Sequence, residues 1–306
     1  MKFVMLGSGA VGSYFGAKLQ QAGHEVVFVA RGERLRVLRE QGLMLHADTE
    51  AVTLSVAVTD DVATLGTADF VLISVKSWQV EEVAQKLSPL RASHTRFLTL
   101  QNGVEAPHIV AKHLGAGQVL GGLVRGFFEM EASGAVRHVG VQPTIVFGQM
   151  NGPRTAEAQQ LLQSLMDAGV HAELLDDIEQ ALWKKFLLVT SLSGMGAVTR
   201  APIGAIREYA PTRQMLEKVM LEIASVARAR GIALPDDVVV RTLQFVDTFP
   251  HEATTSMQRD VMNGLPSELE AQTGAVLRLG REAAVATPVN QYLYDSLILQ
   301  EMRARR

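Results

Sequence analysis

Residues 2–31, KFVMLGSGAVGSYFGAKLQQAGHEVVFVAR, decide how the chain begins to fold. Lys2-Phe3-Val4-Met5-Leu6 is an apolar run of strand length. Val11, Tyr14, Phe15 and Leu19 then recur at helical spacing up to Gly23, and Val26-Val27-Phe28-Val29-Ala30 is a second apolar run. Between the first strand and the helix stands Gly7-Ser8-Gly9-Ala10-Val11-Gly12. Gly7 permits a tight turn and Gly9 lets backbone approach a pyrophosphate. Gly12 lets the helix pack close to the strand, with its N-terminal amides facing the phosphates. A glycine triplet of this spacing is weak evidence alone. Set between a strand and a helix in a β-α-β pattern, it predicts a dinucleotide site made of residues 7–12.

Arg31 refines that expectation. Where a carboxylate closes the second strand it accepts hydrogen bonds from the ribose 2′-hydroxyl of NAD. Here the place holds Arg31, with Arg34 one helical turn later. A guanidinium grips a 2′-phosphate with two charge-assisted bonds, whereas a carboxylate repels it. The expected cofactor is therefore NADPH. Two plainer readings stand beside it: Arg31 as a solvated loop cation, or Glu33 reaching the ribose instead.

At 306 residues, 47% of them hydrophobic, the chain can fill two cores. A net charge of −3 and a pI near 6.3 offer neither a basic field for nucleic acid nor a polybasic membrane patch. The absence of cysteine removes disulfides, thiol catalysis and thiolate metal sites, and suits a reducing cytoplasm. No apolar run approaches the ~18–20 residues needed to span a bilayer. Lys2 and the apolar run after it superficially resemble a signal peptide, but the glycines fall where a dinucleotide turn needs them. The eight histidines form no ligand-spaced cluster, so no metal is expected. Oligomeric state is not encoded legibly; a homodimer is compatible with the chain.

Further apolar runs continue the sheet. Leu43, Leu45, Val52, Leu54, Val56 and Val58 alternate as half-buried strands or a hairpin would. Asp69–Val75 and Phe97–Leu100 read as central parallel strands. Thr144–Phe147 closes the series after a turn at Gly134, and helices are expected over Val80–Leu90 and Ala156–Ala168. Beyond Leu175 the period becomes helical throughout. The expected fold is α/β: a doubly wound dinucleotide-binding domain over residues 1–176 with an antiparallel addition, then an all-helical substrate domain over 177–306. Cofactor and chemistry would meet in the cleft between them.

Three polar constellations are candidates for chemistry. Val75-Lys76-Ser77-Trp78 and Gln101-Asn102-Gly103 each follow a central strand, at the sheet edge where open α/β folds bind ligands. Trp183-Lys184-Lys185-Phe186 opens the helical half. Adjacent helical residues point about 100° apart, so Lys185 lies beside the apolar stripe of Leu182, Phe186 and Val189 while Lys184 lies further round. Periodicity alone favours two solvated lysines, one snorkelling its stem. Finally, Thr255 with Gln258 and Ser267 with Glu270 read as capping boxes, which would put Glu268 in the first turn of a helix.

These pieces together resemble the ketopantoate reductase family of two-domain NADPH-dependent 2-keto acid reductases. The matching segments are Gly7–Gly12, Val75-Lys76, Gln101-Asn102-Gly103, Trp183-Lys184-Lys185, Arg200-Ala201-Pro202-Ile203-Gly204, Ala229-Arg230-Gly231, Ser256 with Glu268, and Thr287-Pro288-Val289-Asn290. The resemblance implies a Rossmann-type first domain and reduction of 2-dehydropantoate (ketopantoate) to pantoate, a step of pantothenate and coenzyme A biosynthesis. It implies Lys185 as general acid with Glu268 assisting, Asn102 holding substrate and nicotinamide, Ser256 holding the substrate carboxylate end, and Lys76 lining the cofactor cleft. One and two turns past the lysine the family commonly offers asparagines that touch substrate; here stand Val189 and Ser193, on the same helix face. A valine offers no hydrogen bond there and discriminates hydroxyl-bearing substrates poorly. Reduction of another 2-keto acid or an imine is the alternative, and a non-catalytic NADPH-binding regulator a more distant one.

Overall fold

The apolar runs form the middle of one sheet. In the computed structural model, which describes residues 1–46, 51–131 and 133–306, the strands are β1 Lys2–Leu6, β2 Glu25–Val29, β3 Leu43–His46, β4 Ala51–Leu54, β5 Ala57–Thr59, β6 Phe70–Ile73, β7 Arg96–Thr99, β8 Val119–Met130, β9 Val136–Gln149 and β10 His171–Leu175. Five helices belong with them: α1 Ala10–Gln21, α2 Gly32–Gln41, α3 Val80–Ala84, α4 Ala106–Leu114 and α5 Ala156–Asp167. Met1–Gln101 and Ala106–Ile178 form this unit; Asn102–Glu105 and Glu179–Arg306 form a second, helical one.

Strand order in the sheet is β4-β3-β9-β8-β7-β6-β1-β2-β5, with β10 beside β9. The chain passes from β1 to β2, crosses to β3 and β4 at the far edge, returns to β5 beside β2, and then enters β6 on the other side of β1 and winds the opposite way through β7 to β8. The reversal therefore lies between β1 and β6, which pair in parallel from Phe3↔Phe70 to Leu6↔Ile73. Their carboxyl ends make the crevice where doubly wound sheets take ligands. Both strands are buried on each face, which explains their unbroken apolar reading.

Other stretches differ from their sequence reading. Leu43–His46 and Ala51–Leu54 form an antiparallel pair, but Val58 belongs to β5, parallel to β2. The helix expected over Val80–Leu90 stops at Ala84, and Ser88–Leu90 forms a separate 3-10 turn. Pro89 explains this, because within a helix it lacks the donor and clashes with the preceding turn. The antiparallel addition is the long pair of β8 and β9, kinked where Gly126 takes φ +133 between Arg125 and Phe127. Beta strand β10 gave little signal, since only Leu174 of its five residues is buried.

The helical unit contains α6 Ile178–Thr199 (from its second residue), α7 Ile203–Glu208, α8 Ala210–Ala229, α9 Val238–Asp247, α10 Ser256–Met262, α11 Thr273–Glu282 and α12 Pro288–Ala304. Helix α8 is its centre, with Leu216, Val219, Met220, Ile223 and Ala227 buried against its neighbours. From α8 Glu222 also caps α12, accepting from the N–H groups of Val289 at 2.8 Å and Asn290 at 2.9 Å. One expected cap is absent. Helix α11 begins at Thr273, not at Ser267, whose N–H and hydroxyl both bond the buried carboxylate of Glu301 on α12. Glu270, the presumed cap partner, is engaged by Arg278 and Tyr294 instead. Among the described residues no helix is long and apolar enough to cross a membrane, and no group of three or more His, Cys, Asp or Glu side chains could hold a metal ion.

Candidate active site

The glycine turn sits at the β1/β6 reversal, and each glycine there answers a different constraint. Gly7 has φ +102, and a Cβ on it would lie 2.6 Å from the Val75 amide nitrogen. A Cβ on Gly12 would lie 2.1 Å from the Gly7 carbonyl oxygen and 2.2 Å from Ser74 Oγ. Gly12 thus packs α1 against the turn and the end of β6. Ser74 fastens the same point, its hydroxyl donating to Gly7 O at 2.7 Å. Around Gly9, by contrast, no atom of the described residues beyond its own chain neighbours lies within 4 Å of where a Cβ would stand. Helix α1 starts there with no side-chain cap and no acidic residue in its first turn. Its leading amides are therefore open to an anion. This cradle fits a dinucleotide pyrophosphate, with Ser8, Ala10 and Val11 carrying the surrounding amides.

The turn is buttressed from below. Ser8 is buried and donates to Val29 O at 3.2 Å, while Arg34 donates to Ser8 O at 2.9 Å, Gly134 O at 2.9 Å and Ser13 Oγ at 3.0 Å. Burial holds the Arg34 guanidinium below its usual range. Arg34 is thus a support of the turn, a role its position next to Arg31 in sequence did not signal. Arg31 itself is exposed, and its guanidinium meets Glu82 of α3 at 3.4 Å, a carboxylate that Lys86 holds more closely at 2.5 Å. Glu33 is paired with Arg36 at 2.5 Å, whose hydrogen bond lowers its pKa.

The polar groups after β6 and β7 are held in different ways. Lys76 is exposed, its ammonium 5.7 Å from the centre of the Trp78 ring. Gln101 is buried and donates to Ile73 O and Val75 O, both at 2.9 Å, tying the end of β7 to that of β6. One residue on, Asn102 belongs to the helical unit. Its carboxamide donates to Glu268 Oε2 at 3.4 Å, across 166 residues of sequence. Glu268 is only 8% exposed and lies in the turn before α11, five residues ahead of its start rather than in its first turn.

Along α6, Lys184 turns to Gln180, while Lys185 and Val189 are half-buried and Ser193 is fully buried. Spacings of four and eight keep 185, 189 and 193 on one face. Among the described residues Ser193 Oγ has no hydrogen-bond partner, an expensive state for a buried hydroxyl. The capping box of Thr255 with Gln258 is present, and it leaves Ser256 exposed as the first residue of α10. Sequence reading missed Ser74, Arg34 and Gln101 as builders of the turn. Ser74 and Gln101 each carried a signal, as a polar residue at a strand end.

Likeness to known proteins agrees with this architecture. The family model described as ketopantoate reductase PanE/ApbA matches residues 3–152, and its C-terminal counterpart matches 177–301. The 2-dehydropantoate 2-reductase of Archaeoglobus fulgidus is 32% identical over 293 residues, covering 95% of each chain. A solved PanE/ApbA family ketopantoate reductase from Ralstonia eutropha JMP134 superposes with a TM-score of 0.90 at 31% identity, covering 100% of both chains. D-mandelate dehydrogenase, solved with NADH and anilino(oxo)acetate, shares the fold with a TM-score of 0.91 at 23% identity, covering 100% of this chain and 99% of that one. The class is thus a dinucleotide-dependent oxidoreductase acting on a CH–OH group. Within it, the chain belongs to the ketopantoate reductase family, which acts on a small keto acid.

The two glycine environments separate binding from folding. Gly9→Ala should leave the thermal midpoint close to the parent and weaken dinucleotide binding at least ~10-fold, because the added methyl occupies the cradle. Gly12→Ala should lower stability by roughly the 1–3 kcal/mol of an overpacked site or more. Thermal melts with fluorescence titrations of NADPH and NADH test both, and parental affinity in Gly9→Ala would remove the pyrophosphate from this turn.

Proposed function

We propose that the chain reduces 2-dehydropantoate to pantoate with NADPH, in a reducing cytoplasm, and that Lys185 is the proton donor. The observation that best supports this reading is the hydrogen bond between Asn102 and the nearly buried Glu268. It joins two groups that a keto acid reductase needs on its substrate side and that lie far apart in the chain. The unpartnered hydroxyl of Ser193, one helix face with Lys185, adds a polar wall. Residues 7–12 would hold the pyrophosphate, Arg31 the 2′-phosphate, and Lys76 the rim of the cofactor site.

NADPH, when bound, supplies the hydride for the C2 carbonyl. As that carbon is reduced, negative charge grows on its oxygen, and the Lys185 ammonium stabilises it and passes a proton to it. Glu268 gives the ammonium an acceptor that limits its orientations, and Asn102 in turn restrains Glu268. Ser256, exposed at the start of α10, offers a hydroxyl to the substrate carboxylate. Lys184, bonded to Gln180, stays outside this set. A second reading, reduction of a different 2-keto acid, is favoured by the half-buried Val189, which lines the same face without hydrogen-bonding capacity.

Lys185→Ala should cut kcat by the ~10²–10⁴ of a lost general acid with NADPH affinity unchanged, while Lys184→Ala stays near the parent. Equal damage from both would point to bulk charge and sink the assignment. For the cofactor, the contact of Arg31 with Glu82 is exposed and weak, so a 2′-phosphate can recruit it at little cost. Arg31→Gln should weaken NADPH binding by ~1.5–3 kcal/mol and NADH binding little; equal losses would refute the preference. If Val189 sets specificity, Val189→Asn should raise the ratio of kcat/KM for ketopantoate over a plain branched 2-keto acid. An unmoved ratio would take residue 189 out of the substrate pocket.

A further inference from the structure

The segment Asn102–Glu105 leaves a β-strand yet groups with the helical unit, and a side-chain network explains how it is held there. Arg278 on α11 is the hub. Its NH2 donates to Glu105 Oε2 at 2.7 Å and to the Glu270 carbonyl at 2.8 Å, and its NH1 donates to Glu270 Oε2 at 3.1 Å. Tyr294 on α12 donates its hydroxyl to the other oxygen of Glu270. One planar guanidinium thus bridges Glu105, three residues after Asn102, to Glu270, two residues after Glu268. The two ends of the bridge flank the Asn102–Glu268 hydrogen bond.

Two glycines make room for this arrangement. A Cβ on Gly274 would stand 2.8 Å from Glu270 Oε2, 3.2 Å from Arg278 NH1 and 3.2 Å from Tyr294 Cε2, inside the network itself. Gly103 has φ +108, and a Cβ there would stand 3.0 Å from the carbonyl of Ala271. The backbone beside Asn102 and the turn carrying Glu268 therefore approach more closely than side chains would allow. Burial, and next the bond to Glu270, push the Tyr294 phenol up to about 12, so it remains a donor across the neutral range.

We propose that Glu105, Arg278, Glu270 and Tyr294 form a positioning clamp that sets the Asn102–Glu268 pair in register for reduction of the substrate. This rests on the proposed function above. Arg278 is a positioning residue that acts through Asn102 by way of Glu105 and Glu270. Its geometry requires arginine: a lysine supplies a single point charge and cannot span two carboxylates and a carbonyl in one plane.

The test compares the full-length parent with Arg278→Met, Arg278→Lys, Tyr294→Phe, Asn102→Ala and the double variant Arg278→Met with Asn102→Ala, using NADPH and a panel of 2-keto acids that includes ketopantoate. Arg278→Met should lower kcat by about 10- to 100-fold, the cost of a small misplacement, with the NADPH dissociation constant unchanged. Arg278→Lys should recover little of that loss, and Tyr294→Phe, which removes a single bond and disturbs folding least, should lose a few-fold. The decisive result is non-additivity: the double variant should be no slower than Asn102→Ala alone. Full multiplication of the two single losses, or parental kcat in both Arg278→Met and Tyr294→Phe, overturns the clamp while leaving the proposed function standing. A parent inactive on the whole panel overturns that function and the clamp with it.

Discussion

The carbonyl of Gly7 and the hydroxyl of Ser74 meet at 2.7 Å, and the first unit depends on that contact. It closes the carboxyl ends of β1 and β6 against each other where the sheet reverses its winding. Gly12 must then pass within contact distance of both atoms, which brings the start of α1 over the turn. Three close approaches at one point leave the neighbouring Gly9 as the open position, with the uncapped amides of α1 around it. The room for a pyrophosphate is a consequence of tight packing beside it. Arg34 extends the same logic, since it is half-buried below the turn and gives up donors to hold Ser8 and Ser13.

The helical unit solves a different problem, that of polar groups in a largely apolar bundle. Glu222 is matched to the leading amides of α12, and the buried Glu301 to Ser267 and Arg305. Glu270 is matched to Arg278 and Tyr294. Each carboxylate is bound by several donors, and for Glu301, which is buried, this is the condition under which burial of charge is tolerated. Against this background the hydroxyls of Thr190, Ser191 and Ser193 on α6, and the amide of Gln272, stand out as having no partner among the described residues. Unmade bonds of this kind cost more than made ones return, and on α6 they lie on the helix that also carries Lys185.

Legibility followed the range of the interaction. The β1-α1-β2 unit was readable because apolar period and glycine spacing are local, and the same holds for α5, the helical remainder and the Thr255–Gln258 cap. Local period is no guide where a distant group intervenes or a single residue breaks the pattern. The apolar period of α3 continues to Leu90, but Pro89 cannot follow it within a helix, and α3 ends at Ala84. Ser267 with Glu270 matched a capping pattern, but Glu301, 34 residues away, takes the serine. Strand β10 has too few buried positions to stand out.

What the chain determined by itself was the class of fold, the place of the glycine turn and the types of side chain available for chemistry. Those properties reside in backbone conformation and in periods of two and 3.6 residues, which a linear sequence displays directly. Only the tertiary structure decided that Arg34 supports the turn while Arg31 stays exposed, that Glu33 is taken by Arg36, and that Asn102 and Glu268 share a hydrogen bond. Arg34 reaches a carbonyl 26 positions away and Asn102 a carboxylate 166 positions away. A side chain's partner at such separations depends on the path of the whole backbone, and no local pattern of residues encodes it.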